Sequence, residues 1–500
     1  MNINIKFIDT SHVQIETDQS ILYEMRDYFS FQPPGYQYQK KFKYGGWNGF
    51  IYLLDYNGKL PYGLAHLVHK FAEARGYTVT EDPRIHGNDD LISREDFNKW
   101  IESKEIYSGT DKIKPHWYQA DSVFHAINSR RAVLNLPTSA GKSLIQCLIS
   151  RWFLESYEGK VLIIVPTVGL VSQMINDFVD YRIFPRHALH GIKSGSEKDT
   201  QCPIVVSTWQ SASKQPPEWF RQFKLLMVDE CHLSTGQSIK SIIENLTDCV
   251  FKFGLSGSLK EGKANMMQYV GAFGKIFKPV DTNRLMMEGQ VTDLKINTLL
   301  LRYPEEDIAK LKGADYQTET SFVTGHTKRN KWICKLALKL AMEKNENVFL
   351  MFKNIKHGKW LYEHLKKHYD NVVYIAGETS ATERDEMKKI AESTKGLIVV
   401  GSIGVLSTGI SIKNLHHIIF AHPCKSAVIV KQSIGRVLRK HESKLKAMVW
   451  DIIDNLAKLS KSKKAKDKYS SLNYGMKHGR ERIGIYNQEK FDYSIKEIQL

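Results

Sequence analysis

The feature that most narrows the fold is the stretch Leu136-Pro137-Thr138-Ser139-Ala140-Gly141-Lys142-Ser143 and what flanks it. Before it, Arg131-Ala132-Val133-Leu134-Asn135 reads as a buried strand; after it, Leu144-Ile145-Gln146-Cys147-Leu148-Ile149 can open a helix. Strand, small-residue turn, helix is the geometry of a phosphate cradle, because turn and helix N-terminal N–H groups point at an anion. The backbone of Thr138, Ser139, Ala140 and Gly141 would line the cradle. Lys142 would neutralise the β/γ oxygens, and the Ser143 hydroxyl would ligate Mg²⁺. The strict pattern GxxxxGK[ST] fails, since Leu136 and Ser139 stand where glycine is common. By itself the stretch also fits an ordinary turn with a solvated lysine.

A second stretch, Leu226-Met227-Val228-Asp229-Glu230-Cys231-His232, decides between these. A hydrophobic strand ending in Asp-Glu puts two carboxylates at one strand terminus. Asp229 would hold Mg²⁺, and Glu230 would act as general base on the attacking water. His232 falls where hydrolysis can be coupled to a neighbouring motif. A lone exposed Asp-Glu pair is commonplace, but a cradle followed by this pair implies binding and hydrolysis of ATP.

With these residues in place the chain resembles the superfamily 2 helicases and translocases, whose second motif reads Asp-Glu-x-His. The likeness covers most of the chain after about residue 110. Pro115-His116-Trp117-Tyr118-Gln119 is similar to the family's adenine-recognition segment, which implies that Gln119 bonds the base. Val165-Pro166-Thr167-Val168-Gly169 and Val206-Ser207-Thr208-Trp209-Gln210 resemble strand-contacting motifs. Gly254-Leu255-Ser256-Gly257-Ser258 takes the place of motif III, with serines where many relatives carry Thr-Ala-Thr, and its hydroxyls could bond to His232.

Farther on, Asn347-Val348-Phe349-Leu350-Met351-Phe352 resembles motif IV. Leu406-Ser407-Thr408-Gly409-Ile410-Ser411 resembles motif V, and Gln432-Ser433-Ile434-Gly435-Arg436-Val437-Leu438-Arg439 motif VI. The spacing of Gln432, Arg436 and Arg439 predicts one helix face. The resemblance makes Arg439 the first candidate for an arginine finger and Arg436 the second; a planar, permanently charged fork suits phosphoryl transfer. It also implies backbone contacts to a nucleic-acid strand from Thr167, Thr208 and Thr408, with amides near Gly169 and Gly409; Gly409 would touch nucleotide as well. Each threonine is equally a candidate helix cap.

The resemblance implies two tandem RecA-like parallel-sheet lobes with a small α+β N-terminal domain; the strand pattern alone shows only an α/β chain. Residues 1–90 form the small domain, 91–110 a linker helix capped by Ser93, 111–284 lobe 1 and 285–455 lobe 2. The basic stretch 456–500, with Lys458, Lys461, Lys463, Lys464, Lys466 and Lys468, is expected to pack on lobe 2 as helices. Within the small domain Arg26, Lys40, Lys41 and Lys43 alternate with Tyr36, Tyr38, Phe42, Tyr44 and Trp47. That mixture can neutralise phosphates and stack on unpaired bases, though aromatics in a small domain are usually core.

A net charge of +17 over 500 residues favours a polyanionic partner. No membrane-length apolar run or signal-peptide h-region is seen, so the expected location is intracellular, in the cytoplasm. The six cysteines lack metal-site spacing and are read as free thiols, and His416 and His417 as structural. Within the larger family the plan is similar to phage recombination helicases. This implies a monomeric, ATP- and Mg-dependent 3′ to 5′ motor on branched DNA: stalled forks, Holliday junctions, D-loops and R-loops with their RNA–DNA hybrids. An RNA-directed helicase is a second reading. A non-catalytic binding or annealing protein is a third, against which Glu230 argues.

Overall fold

The computed structural model describes all residues except 1, 34, 86–89, 194–196, 234–236, 260–261, 312, 378, 380, 409–411, 425 and 460–468. It divides into two compact units, residues 1–136 with 140–279, and residues 137–139 with 280–500.

The first unit contains two sheets. The N-terminal one orders its strands Lys59–Pro61, His12–Glu16, Asn2–Phe7, Thr78–Glu81. Alternation along Asn2–Phe7 sends Ile3 and Ile5 inward, where they meet Val13, Ile15, Met25, Phe29 and Phe71. The sheet is not free-standing, because Met267 of the helix Lys263–Phe273 belongs to the same core. Polar contacts secure the seam. Thr10 N–H donates to the Thr247 carbonyl at 3.0 Å, and the Ser11 hydroxyl to the Ile243 carbonyl at 2.7 Å. At Gly63 a Cβ would lie 1.9 Å from the Val270 carbonyl oxygen, so only glycine permits this approach.

The second sheet of this unit is seven-stranded and parallel, in the order Leu189–Ile192, Ile204–Thr208, Lys160–Val165, Phe223–Asp229, Phe251–Ser256, Arg131–Asn135, Ile276–Phe277. Its strands are apolar on both faces because helices cover both, as a parallel sheet requires. All the motif residues of this unit lie at the carboxyl edge of the sheet, where such folds bind ligands. Ser93 caps the helix Arg94–Glu102, accepting from Asp96 N–H at 3.1 Å.

The second unit repeats the plan with a seven-stranded parallel sheet: Val372–Ile375, Ile398–Ser402, Val348–Phe352, His417–Phe420, Lys446–Asn455, Asp293–Arg302, Tyr493–Gln499. Two buried arginines tie helices to it. Arg329 bonds Asp454 at 2.6 and 3.0 Å and the Ala421 carbonyl at 2.8 Å. Arg482 bonds Asp451 at 2.8 Å. Removing one partner of such a pair leaves an uncompensated charge, a loss of about 3–5 kcal/mol.

The end of the chain corrects the expectation of helices alone. Tyr474–Gln488 is a helix, but Tyr493–Gln499 is a strand added parallel to Asp293–Arg302 at the sheet edge. Of the lysine run, only Lys458 lies within the described residues. His416 and His417 are structural: His416 Nδ1 accepts from Asn347 N–H at 3.2 Å, and His417 pairs with Glu346 at 2.6 Å. All six cysteines are free thiols.

Candidate active site and nucleic-acid interface

Gly141 is the pivot of the phosphate loop. It caps the helix Lys142–Ser156 with φ of 73°, and a Cβ there would lie 2.3 Å from Gln119 Nε2. Both halves of the Gln119 amide are engaged with the chain: Oε1 accepts from His116 N–H at 2.9 Å, and Nε2 donates to the Ala140 carbonyl at 2.9 Å. Gln119 therefore braces the loop from the side. Ser139 also adopts a left-handed φ, 73°, which explains why glycine is common at its place in such loops. Ala140 is buried; Thr138, Lys142 and Ser143 are partly exposed.

Asp229 ends its strand and Glu230 turns the chain with φ of 50°. Burial raises the Asp229 pKa, the adjacent Glu230 charge raises it further, and the Lys142 ammonium pulls it back. One oxygen of Asp229, Oδ1, is buried without a hydrogen-bond partner among the described residues. A buried acceptor within the field of Lys142 fits a divalent cation, so Asp229 and Ser143 suit Mg²⁺. The Ser143 hydroxyl already shares a 2.7 Å hydrogen bond with Tyr181 OH. Tyr181 was not legible in the sequence, where it is one aromatic among many at a helix end.

His232 is fully buried. Its Nδ1 lies 2.8 Å from Ser256 Oγ and 3.2 Å from Glu230 Oε2, while Tyr269 OH donates to its carbonyl at 3.3 Å. Ser256 Oγ also accepts from Ser258 N–H at 3.1 Å. The His232 imidazole of the second motif is thus joined to the third motif by its hydrogen bond to Ser256.

Thr167 and Thr208 are both helix caps at the same sheet edge. Thr167 accepts from Leu170 N–H at 3.4 Å, and Thr208, itself buried, from Ser211 N–H at 3.3 Å. Gly169 is exposed in the first turn after Thr167. Lys40, Lys41 and Lys43 form an exposed helical turn flanked by Tyr38 and Tyr44, which are 75% and 84% exposed. Arg26 corrects the reading of its neighbourhood. It is buried, donates to the Leu54 carbonyl at 3.2 Å and stacks on Tyr56 at 3.3 Å, so it serves the domain core.

In the second unit Gln432 is buried and Arg436 partly exposed on the helix Ala427–Val437. Arg439 lies beyond the helix end, correcting the expectation of a single helical face. Its carbonyl accepts from the Thr292 hydroxyl at 3.3 Å, and Thr292 N–H donates to the Leu438 carbonyl at 2.9 Å. Lys444, missed in the sequence, is buried beneath this turn. It donates to the Val437 carbonyl at 2.7 Å and to those of Lys413 and Leu415 at 3.1 Å. Burial, and secondarily Arg439, push its pKa down to about 7. Thr408 ends the helix Ile403–Thr408; Gly409 and the side chain of Thr408 lie outside the described residues.

Comparison with known proteins assigns these features to a lineage. Residues 2–82 match the N-terminal model of DNA helicase UvsW. Residues 99–261 match the res subunit of type III restriction enzymes, and residues 328–441 the conserved C-terminal helicase domain. The ATP-dependent DNA helicase UvsW of Enterobacteria phage T4 is 55% identical over the whole of both chains. The chain belongs to the UvsW family of ATP-dependent DNA helicases. The crystal structure of T4 UvsW aligns over 100% of both chains with a TM-score of 0.54 and 52% identity. The DNA 3′-5′ translocase XPB2 of Sulfurisphaera tokodaii is 31% identical over 38% of this chain and 39% of its own. No helix among the described residues is long and apolar enough to cross a membrane.

Proposed function

We propose that this helicase is a monomeric motor that moves 3′ to 5′ along DNA and remodels branched substrates: stalled forks, Holliday junctions, D-loops and R-loops. The observation that carries the proposal is the buried His232, whose Nδ1 is hydrogen-bonded to Ser256 Oγ at 2.8 Å and lies 3.2 Å from Glu230 Oε2, so that the carboxylate read as hydrolytic and the third motif meet at one ring nitrogen. Polarity is inferred from the translocase relative, and the branched substrates from the family together with the exposed Lys40, Lys41 and Lys43. A phage-encoded protein of this kind would act in the host cytoplasm.

In the proposed cycle the loop N–H groups from Thr138 to Gly141 and the Lys142 ammonium hold the triphosphate. Glu230 takes the proton of the attacking water. Ser143 and Asp229 would hold Mg²⁺, which when bound neutralises charge on the β/γ oxygens. In the ATP-bound state Gln432, Arg436 and Arg439 reach the triphosphate, and Arg439, with Arg436 as the second candidate, offsets charge on the transferring phosphoryl group. Thr167, Thr208 and Thr408, with amides near Gly169 and Gly409, grip backbone phosphates and so read no sequence.

The test is fork regression and tailed-duplex unwinding by the full chain. Wild type should regress a fork and unwind only 3′-tailed duplex, and Lys142→Ala should do neither. Charge reversal at Lys40, Lys41 and Lys43 should weaken fork binding more than single-strand binding. Unwinding from 5′ tails would refute the polarity, and ATPase stimulation by RNA but not DNA would favour an RNA-directed enzyme.

A further inference from the structure

Ser143 lies in the first turn of the helix Lys142–Ser156, and its hydroxyl is the atom read above as a Mg²⁺ ligand. A serine hydroxyl turns among three staggered positions unless something holds it, and a rotor spread over three holds a cation less well than one already fixed. Tyr181 supplies a hold: its phenol oxygen lies 2.7 Å from Ser143 Oγ. A phenol keeps its proton at neutral pH, and a serine hydroxyl has one proton and two lone pairs. Whichever oxygen donates, Ser143 retains at least one lone pair for a cation.

The tyrosine is itself held from behind. It follows the helix Val168–Asp180 directly, and its N–H donates to the Asp177 carbonyl at 3.0 Å. Its own carbonyl accepts from Tyr107 N–H at 3.2 Å, in the hairpin that pairs Ile106–Ser108 with Asp111–Ile113. The two Asp180 carboxylate oxygens accept from Gly109 N–H at 3.0 and 3.1 Å. The Arg182 guanidinium donates to the Gly109 carbonyl at 3.1 Å and lies 4.2 Å from the Tyr107 ring centre. Three consecutive residues, 180 to 182, are thus tied to one hairpin, and a φ of 56° at Arg182 turns the chain straight after the tyrosine. Asp177 acts electrostatically on both Asp229 and Tyr181, so the tyrosine and the carboxylate read as metal-holding border one small space.

We propose that Tyr181 is a positioning residue for the metal site of this helicase, fixing the Ser143 hydroxyl in the orientation that receives Mg²⁺ with the nucleotide. The inference rests on the reading of Ser143 and Asp229 as Mg²⁺ ligands and adds to it a residue 38 positions away that the phosphate-loop pattern does not contain. Groups that orient a metal ligand through a hydrogen bond contribute about 10–100-fold to metal affinity. Tyr181 acts here through Ser143 alone and touches no phosphate in this account.

The experiment measures two affinities of the full chain: ADP binding in EDTA by calorimetry, and Mn²⁺ binding to the protein–ADP complex by electron paramagnetic resonance, with Mn²⁺ as the probe for Mg²⁺. Tyr181→Phe keeps the ring and removes only the hydroxyl. It should bind ADP in EDTA as wild type does, while its Mn²⁺ dissociation constant rises about tenfold or more. Ser143→Ala should weaken Mn²⁺ at least as much, and the double variant should bind no more weakly than Ser143→Ala alone, because Tyr181 works only through that hydroxyl. A tyrosine that merely packs would lower the thermal midpoint and leave Mn²⁺ affinity unchanged. If Ser143→Ala weakens Mn²⁺ and Tyr181→Phe binds it as wild type does, the inference is overturned and the ligand reading stands. An equal loss of ADP affinity in EDTA by Tyr181→Phe would show a general defect of the loop and overturn it too. Mn²⁺ affinity unchanged by Ser143→Ala would sink the ligand reading, and the inference with it.

Discussion

Ser139 and Ser256 show at single residues how this helicase departs from commoner versions of its motifs. Holding Ser139 at φ of 73° costs about 1–2 kcal/mol, since a Cβ crowds the following carbonyl. Ser139→Gly should therefore raise the thermal midpoint of the nucleotide-free protein while ATPase persists; an unchanged or lower midpoint in calorimetry would contradict this strain. Ser256→Ala removes the hydroxyl 2.8 Å from His232 Nδ1 and leaves a buried ring nitrogen poorly satisfied, at about 1–3 kcal/mol. Single-turnover ATP cleavage should fall less than unwinding, and equal losses in both would deny the coupling role. Two buried histidines set an acid limit. Burial and then Arg329 lower His357 to about 3 and His422 to about 4. The unfolded chain binds these protons near pH 6.5, so stability present above that pH declines as pH falls toward 4. The urea midpoint of wild type should drop over this window, and the drop should be smaller in His422→Asn.

At the level of helices and strands, the strands that carry the first two motifs were legible because a strand covered on both faces is a short apolar run, as at residues 132–134 and 226–228. The strand Tyr493–Gln499 was not. It is mostly exposed and polar, an edge strand whose identity comes from ladder hydrogen bonds to Asp293–Arg302 that composition does not encode. Deleting residues 490–500 should open that ladder and lower the thermal midpoint of the full chain. A variant melting with wild type would show the strand to be dispensable. Spacing misled at the sixth motif too, because the helix stops at Val437 and the Thr292 contacts, not helical periodicity, set the turn carrying Arg439. Arg26 was misread for a related reason: a sequence counts its charge but cannot show that Tyr52 and Tyr56 enclose it.

Over the whole molecule, the succession of strand, small-residue turn and helix at residues 131–156 was readable before any coordinates, because a phosphate cradle permits few residue types at few spacings. Harder to read were the supports: Gln119 bracing Ala140, Tyr181 on Ser143, Lys444 under the sixth-motif turn. These contacts join residues 21, 38 and 7 positions apart in ways no local pattern records. The merging of the N-terminal sheet with the first parallel sheet into one compact unit was equally hidden, since it rests on Gly63 in the single helical turn Tyr62–Leu64 and on Thr10 and Ser11 in a short loop. A net charge of +17 makes DNA affinity steeply salt-dependent but does not itself drive a motor. The central claim is that hydrolysis at Lys142, Asp229 and Glu230 is coupled to a DNA strand. It is tested most directly by steady-state ATP turnover with and without forked DNA, for wild type and Glu230→Gln. Wild type should turn over many times faster with the fork, and Glu230→Gln should bind ATP yet stay slow under both conditions. Turnover that ignores DNA, or that survives loss of the Glu230 carboxylate, would contradict the account.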